Sequence, residues 1–288
     1  MQDLHIHMHP GRKDSPETFK EKTLAAGVTG GAVFGMHPAG YKQETCEDQR
    51  WKARVEFIME FCSRAPGFRP VFWIDPTDED AVEQVYGTAE MGVAGFKVIC
   101  NHFYPVEGLK AYQAMAEVGL PLMFHSGVLY DQKVSSDYNR PMSYEFLMDV
   151  KGLRFSMAHI SWPWSAELVS LFGKLNYLDT YSPEGRSQMY FDITPGTPPI
   201  FRKEALRWIY MSGLRVKHRV LWGTDCEAND YQTDYALYWG NLDKEILEEI
   251  TADPNIYRVP GQEAYDYSDI WELATEKNFD TFFSKPLK

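Results

Sequence analysis

Eight short apolar, β-rich stretches recur along this chain, and each is followed by a segment of helical pattern. They are LHIH (4–7), GAVFG (31–35), FRPVFWID (68–75), VAGFKVIC (93–100), PLMFHSG (121–127), LRFSMAHIS (153–161), MYFDIT (189–194) and RVLWGTD (219–225). Their separation is about one strand plus one helix, the rhythm of parallel strands joined by crossover helices. The intervening segments carry helix punctuation. Ser15-Pro16 reads as an N-cap followed by a first-turn proline, with Gly27 ending that helix. Between Glu44 and Arg64, the residues Trp51, Val55, Ile58, Met59 and Cys62 fall at helical spacing on one side, before Pro66-Gly67 stops the run. Pro163 to Leu175, Pro199 to Gly213 and Asp269 to Phe283 read as further helices. Eight alternations without a splitting linker predict one α/β domain, residues 1–288, folded as a distorted (β/α)8 TIM barrel. A doubly wound sheet normally announces itself with a glycine-rich phosphate turn after its first strand. Here that strand runs into HMHPGRKDSP, and no G-x-G-x-x-G occurs.

The first strand raises a chemical question. DLHIHMHP (3–10) sets His5, His7 and His9 at alternate positions, which a strand turns to one face. Imidazoles make a poor hydrophobic surface but are the commonest protein ligands for zinc-like ions. The net charge of −12, with lysine and arginine scattered, would repel a nucleic acid or an anionic membrane surface. Cys46, Cys62, Cys100 and Cys226 are widely spaced with no C-x-x-C pair, which suits reduced thiols in the cytoplasm. No basic-then-apolar leader precedes the histidines and no apolar run approaches bilayer length. The expectation is a soluble cytoplasmic protein that acts on a small molecule.

In such barrels the loops at the carboxyl ends of the strands ring one mouth, where the chemistry sits. That end carries His5 and His7 on the first strand and Lys97 on the fourth. His125 follows on the fifth, His159 on the sixth and Asp225 on the eighth. Each has a plainer explanation. His125 could be a hydrogen-bonded core histidine, Asp225 the cap of a following helix, and Lys97 a strand-end lysine reaching solvent. Their joint appearance in barrel order favours a shared site.

These residues resemble the amidohydrolase superfamily, in particular its branch of decarboxylases and hydrolases related to aminocarboxymuconate-semialdehyde decarboxylase. The resemblance rests on D-L-H-I-H (3–7), G-F-K (95–97), M-F-H-S-G (123–127), R-F-S-M-A-H-I-S (154–161), Y-F-D-I-T (190–194) and V-L-W-G-T-D (220–225). ATEKNFDTFF (274–283) is similar to the branch's closing helix. The resemblance implies that His5, His7, His125 and Asp225 bind one divalent metal, zinc ahead of manganese, iron or cobalt, with His159 beside the reacting group. In binuclear relatives a lysine like Lys97 is carboxylated and bridges two metals. The imidazole ligands suffice for one zinc-type ion, which leaves Lys97 to face the substrate. Relatives often continue G-x-K-x-H-P, whereas this chain has Lys97-Val-Ile-Cys-Asn-His102, so His102 inherits no role. His9 lies beyond the strand end and reads as a loop residue.

The expected function is metal-dependent hydrolysis of a small carboxylate-bearing ester, lactone or amide. The ion would lower the pKa of water from ~16 toward ~7. Asp225 would take the proton and return it to the leaving group, while His159 orients the water or stabilises an oxyanion. Arg140, in YNRP, is a candidate clamp for a substrate carboxylate; Trp162 and Trp164, in HISWPW, are candidate apolar walls. The alternative is metal-dependent decarboxylation of a small unsaturated or aromatic acid, which uses the same ligands. A barrel that only binds would lack an acid–base residue, and this chain has both Asp225 and His159. The acidic stretch 251–269 reads as an inserted loop that covers the mouth or contacts a second subunit of a homodimer.

Overall fold

The computed structural model describes residues 1–9, 14–39, 41, 50–181, 186–253 and 269–284. Its strands are β1 (Gln2–His7), β2 (Gly30–Phe34), β3 (Phe68–Trp73), β4 (Gly95–Val98), β5 (Leu122–Phe124), β6 (Arg154–Met157), β7 (Gln188–Asp192), β8 (Val220–Leu221) and β9 (Cys226–Glu227). They form one parallel sheet in the order β8-β7-β6-β5-β4-β3-β2-β1-β9. The helices are α1 (Pro16–Ala25), α2 (Trp51–Arg64), α3 (Ala81–Met91), α4 (Leu109–Val118), α5 (Ser135–Tyr138), α6 (Ser165–Tyr181), α7 (Pro199–Tyr210), α8 (Thr233–Ala252), α9 (Ile270–Glu272) and α10 (Asn278–Phe283). This is the expected distorted barrel. Ser15 caps α1 by accepting from the Thr18 N–H at 3.2 Å. α2 is the described part of the helix expected over 44–64, and it buries Val55, Ile58 and Cys62. Among the described residues no helix is long and apolar enough to cross a membrane.

The eighth predicted strand, 219–225, departs from expectation because it is broken in two. β8 pairs with β7 and β9 pairs with β1, while Asp225 between them turns through a φ of 62°. The Leu4 N–H donates to the Trp222 carbonyl at 3.0 Å and the Asp225 N–H to that of His5 at 2.9 Å. One stretch of chain therefore joins both edges of the sheet and closes the barrel. The kink needs Gly223, where a Cβ would meet Thr194 Oγ1 at 2.6 Å and His5 Cβ at 2.9 Å.

A bulge interrupts β1 as well. Asp3 faces Gly31 and Ile6 faces Val33, so three steps on β1 match two on β2. Such an extra residue re-aims its neighbours. Leu4 and His5 consequently both point into the barrel, Leu4 onto Val71, Met123 and Leu221, and His5 onto Lys97 and Asp192.

The closing helix expected over 269–283 comprises α9, a wide turn at Leu273–Lys277 and α10. Asn278 Nδ2 donates to the carbonyls of Lys217 at 3.0 Å and Val220 at 2.9 Å, and Arg154 reaches the Gly119 carbonyl at 2.6 Å and α10. All three acceptors lie at amino-terminal strand ends, so α10 plugs the floor with Phe279, Phe282 and Phe283. Burying one such side chain contributes about 1.5–3 kcal/mol. Residues 254–268, most of the expected inserted loop, lie outside the described residues.

Candidate metal centre

β1 carries His5 and His7 to the mouth, where their Nε2 atoms lie 3.1 Å apart. Asp225 Oδ1 sits 3.4 Å from both. Ligand-type atoms of His5, His159 and Asp225 all fall within 4.8 Å of one another. His125 follows β5 and packs on His159, ring centroids 4.9 Å apart. Its Nε2 is buried without a hydrogen-bond partner. Leaving such an atom unsatisfied costs about 1–3 kcal/mol, and coordination to a cation would satisfy it. Imidazole nitrogens with one carboxylate form the donor set of a zinc-type ion. The residues fit the metal that the motifs imply.

Burial holds the pKa values of His5 and His125 well below the ordinary imidazole value and lowers that of His7. Neutral imidazole is the form that binds metal. Enclosure alone would raise the pKa of Asp225, but the hydrogen bond from His7 and the neighbouring His159 and His5 hold it below the usual carboxylate range. β9, not a helix, follows Asp225, so its carboxylate serves the mouth and caps nothing.

His159 stands on a strained turn. His159, Ile160 and Ser161 have φ values of 61°, 49° and 49°. Each left-handed residue costs about 1–3 kcal/mol, and the conformation is especially rare for a β-branched side chain. Hydroxyls hold the turn. Thr197 Oγ1 donates to the His159 carbonyl at 3.1 Å, Ser165 Oγ to that of Ile160 at 2.8 Å, and the Ser126 and Ser161 hydroxyls lie 2.6 Å apart. His159 Nδ1 donates to the Pro195 carbonyl at 2.7 Å, which fixes the ring direction. At Gly196 a Cβ would meet His159 Cβ at 2.6 Å.

Two buried carboxylates back the site and escaped assignment from sequence. Asp192 Oδ2 accepts from His5 Nδ1 at 2.8 Å, and its Oδ1 accepts from the Thr194 N–H at 2.9 Å and from the Thr194 hydroxyl. Asp3 accepts from the His5 N–H at 3.1 Å, the Thr224 N–H at 2.9 Å, the Thr224 hydroxyl at 2.6 Å and the Tyr231 hydroxyl at 3.1 Å. Burial pushes the Asp3 pKa up to about 7. An aspartate inside an apolar strand was the available signal, since such residues are almost never fully buried without partners.

The other expected site residues divide. Lys97 does not reach solvent; it is fully buried, with Nζ 3.2 Å from His5 Nε2 and 4.8 Å above the Phe34 ring, and burial lowers its pKa to about 8. Trp162 lines the cavity and stacks on Phe201 at 4.8 Å. Arg140 does not join them. Its guanidinium pairs with Glu167 and covers Trp164 at 5.6 Å, away from the residues that line the cavity. His9 lines the mouth with its backbone tied to Asn229, and His102 pairs with Asp75 at 2.8 Å. The cavity, about 320 Å³, has an apolar wall of Tyr41, Trp73, Ile99 and Leu129 that sequence reading did not identify. Tyr41 and Trp73 pack at 4.5 Å.

A family model described as amidohydrolase matches residues 3–255. No curated protein matches the chain. The crystal structure of an uncharacterised TIM-barrel protein from Bordetella bronchiseptica superposes with a TM-score of 0.61 at 14% identity, covering 98% of each chain. Ribulose-1,5-bisphosphate carboxylase/oxygenase from Pyrococcus horikoshii OT3 gives 0.49 at 13% identity, over 86% of this chain and 60% of that one. The first likeness shows the barrel fold; nothing is drawn from the second.

Proposed function

Because the chain belongs to the amidohydrolase family, we propose that it is a metal-dependent hydrolase of a small ester, lactone or amide with an apolar portion. Its motifs suggest the branch related to aminocarboxymuconate-semialdehyde decarboxylase. The observation that carries the reading is the convergence of His5, His7 and Asp225 beside His159 and the unpartnered His125 Nε2, at the base of a cavity lined by all but the fully buried His5. His5, His7, His125 and Asp225 would hold one divalent cation, zinc ahead of manganese, iron or cobalt. When bound, such a cation supplies Lewis-acid polarisation and acidifies water.

The chain's own groups do the rest. Asp225 takes the proton of the attacking water at its carboxylate and passes it to the leaving group. His159, its Nδ1 held by the Pro195 carbonyl, orients that water through Nε2 or stabilises the developing oxyanion. Tyr41, Trp73, Ile99, Leu129 and Trp162 enclose the apolar portion and exclude solvent. Arg140 is engaged by Glu167, so a substrate carboxylate loses that clamp.

The test is a screen of zinc-loaded protein against lactones, esters and amides, with aromatic and unsaturated carboxylic acids in parallel. Hydrolysis in the first set, abolished by chelation and by Asp225→Asn, supports the reading. Carbon dioxide release from the second set, without hydrolysis, assigns the decarboxylase instead.

A further inference from the structure

Asp192 is a fully buried carboxylate, does not line the mouth cavity and has no role in the reaction above. Its two oxygens are nevertheless committed to opposite tasks. Oδ1 is the acceptor for both the backbone N–H and the hydroxyl of Thr194. Oδ2 faces His5 Nδ1 at 2.8 Å, and both side chains are closed to solvent. A carboxylate can only accept here, so the ring proton of His5 must sit on Nδ1 and the lone pair on Nε2. Around Nε2 lie His7 Nε2 at 3.1 Å, Lys97 Nζ at 3.2 Å and the Asp225 carboxylate at 3.4 Å.

We infer that Asp192 is a positioning residue that sets the tautomer and ring direction of His5 for the cation. The inference rests on the metal reading given above. Partners of this kind fix ligand orientation, and their loss typically weakens metal affinity about 10–100-fold.

The geometry makes an unusual forecast for Asp192→Asn. The two donations from Thr194 require an oxygen on their side, so the new amide keeps its oxygen toward Thr194. Its NH2 then faces His5 Nδ1. That donor selects the opposite tautomer, with the proton on Nε2 where the cation must bind. Asp192→Ala only removes the partner, leaving the ring free to adopt either tautomer. The near-isosteric change is therefore more harmful than the truncation. A residue needed only for packing gives the reverse order, because alanine leaves a cavity and asparagine does not.

The experiment measures zinc affinity of the full-length protein by competition with a chromophoric chelator, and the visible spectrum with cobalt(II), for wild type, Asp192→Asn, Asp192→Ala and His5→Gln. Folding of each metal-free variant is followed by thermal unfolding. The expected result is zinc binding weakened about 100-fold in Asp192→Asn and about 10-fold in Asp192→Ala. Asparagine equal to wild type, or alanine the weaker of the two, overturns the tautomer role while leaving the metal reading intact. A wild type that binds neither ion, indistinguishable from His5→Gln, overturns both.

Discussion

The two ends of the barrel interior are built from the same strands and divided by one ring, that of Phe34, yet they follow opposite rules. On the floor side Leu4, Val71, Met123, Tyr190 and Leu221 meet Phe279 and Phe282 in a plug that is apolar apart from the Tyr190 hydroxyl, which accepts from Arg219 at 2.9 Å. On the mouth side Phe34 touches His5 at 4.8 Å, His7 at 5.1 Å and Lys97 Nζ at 4.8 Å. There the structure holds left-handed backbone at His159 and Asp225 and an unsatisfied nitrogen on His125. Strain and unpaired polar groups persist only where the surroundings over-determine them. The floor supplies rigidity, and the mouth sets its polar side chains beside an apolar wall of Tyr41, Trp73, Ile99 and Leu129.

If that division is real, the largest effect of a mouth substitution falls on turnover and not on folding. Asp225→Asn keeps a residue tolerant of positive φ while removing the proton carrier. Turnover of the screened substrate should drop on the order of 10³-fold with little movement of the unfolding midpoint; a midpoint as low as that of a floor variant would break the comparison. Phe282→Ala is the converse case. A urea titration should show a loss of about 3–5 kcal/mol, with kcat/KM of the folded protein unchanged.

Gly196→Ala probes the boundary between the two behaviours. The added methyl collides with His159, so turnover should fall about 10–100-fold from misplacement of that ring, at a smaller stability cost of about 1–3 kcal/mol. Equal turnover in the variant and the wild type would mean that His159 is not held for the reaction.

The smallest effect is expected at the rim, where His102 meets Asp75 at 2.8 Å. Burial would raise the Asp75 pKa, but the His102 and Thr77 hydrogen bonds bring it below the usual value; the bond to Asp75 raises that of His102 against partial burial and Lys133. The Asp75 contribution is present above its unfolded value near 3.8 and fades as pH falls through the lower folded value. The His102 contribution is present below 6.5 and fades as pH rises through its raised folded value. Stability from the pair is therefore greatest between those limits, and His102 is exposed enough that it amounts to less than about 1 kcal/mol. Comparing wild type with His102→Gln by chemical denaturation from pH 3 to 8 checks this. A difference that stays constant across the range contradicts it.

Much of this architecture was legible because strand and helix periods are local. The alternation of apolar stretches and amphipathic helices gave the barrel, and Ser15-Pro16 gave the start of α1. The single histidines at strand ends marked the mouth because a barrel converts distance along the chain into proximity. The break of the eighth strand and the bulge in β1 were not legible. Both depend on what lies opposite: Gly223 against His5 and Thr194, and three residues of β1 against two of β2. Asp192 was hidden for a similar reason, since its worth lies in a contact 187 positions away. Arg140 shows the same dependence on the fold. A charge beside the mouth in sequence found Glu167 on the next helix instead.

The account stands most directly on where a cation binds. Crystals grown with one equivalent of zinc and measured at the zinc absorption edge should show a single anomalous peak about 2.0–2.2 Å from His5 Nε2, His7 Nε2, His125 Nε2 and the Asp225 carboxylate. A peak elsewhere in the molecule, or none in a protein saturated with zinc, would contradict it.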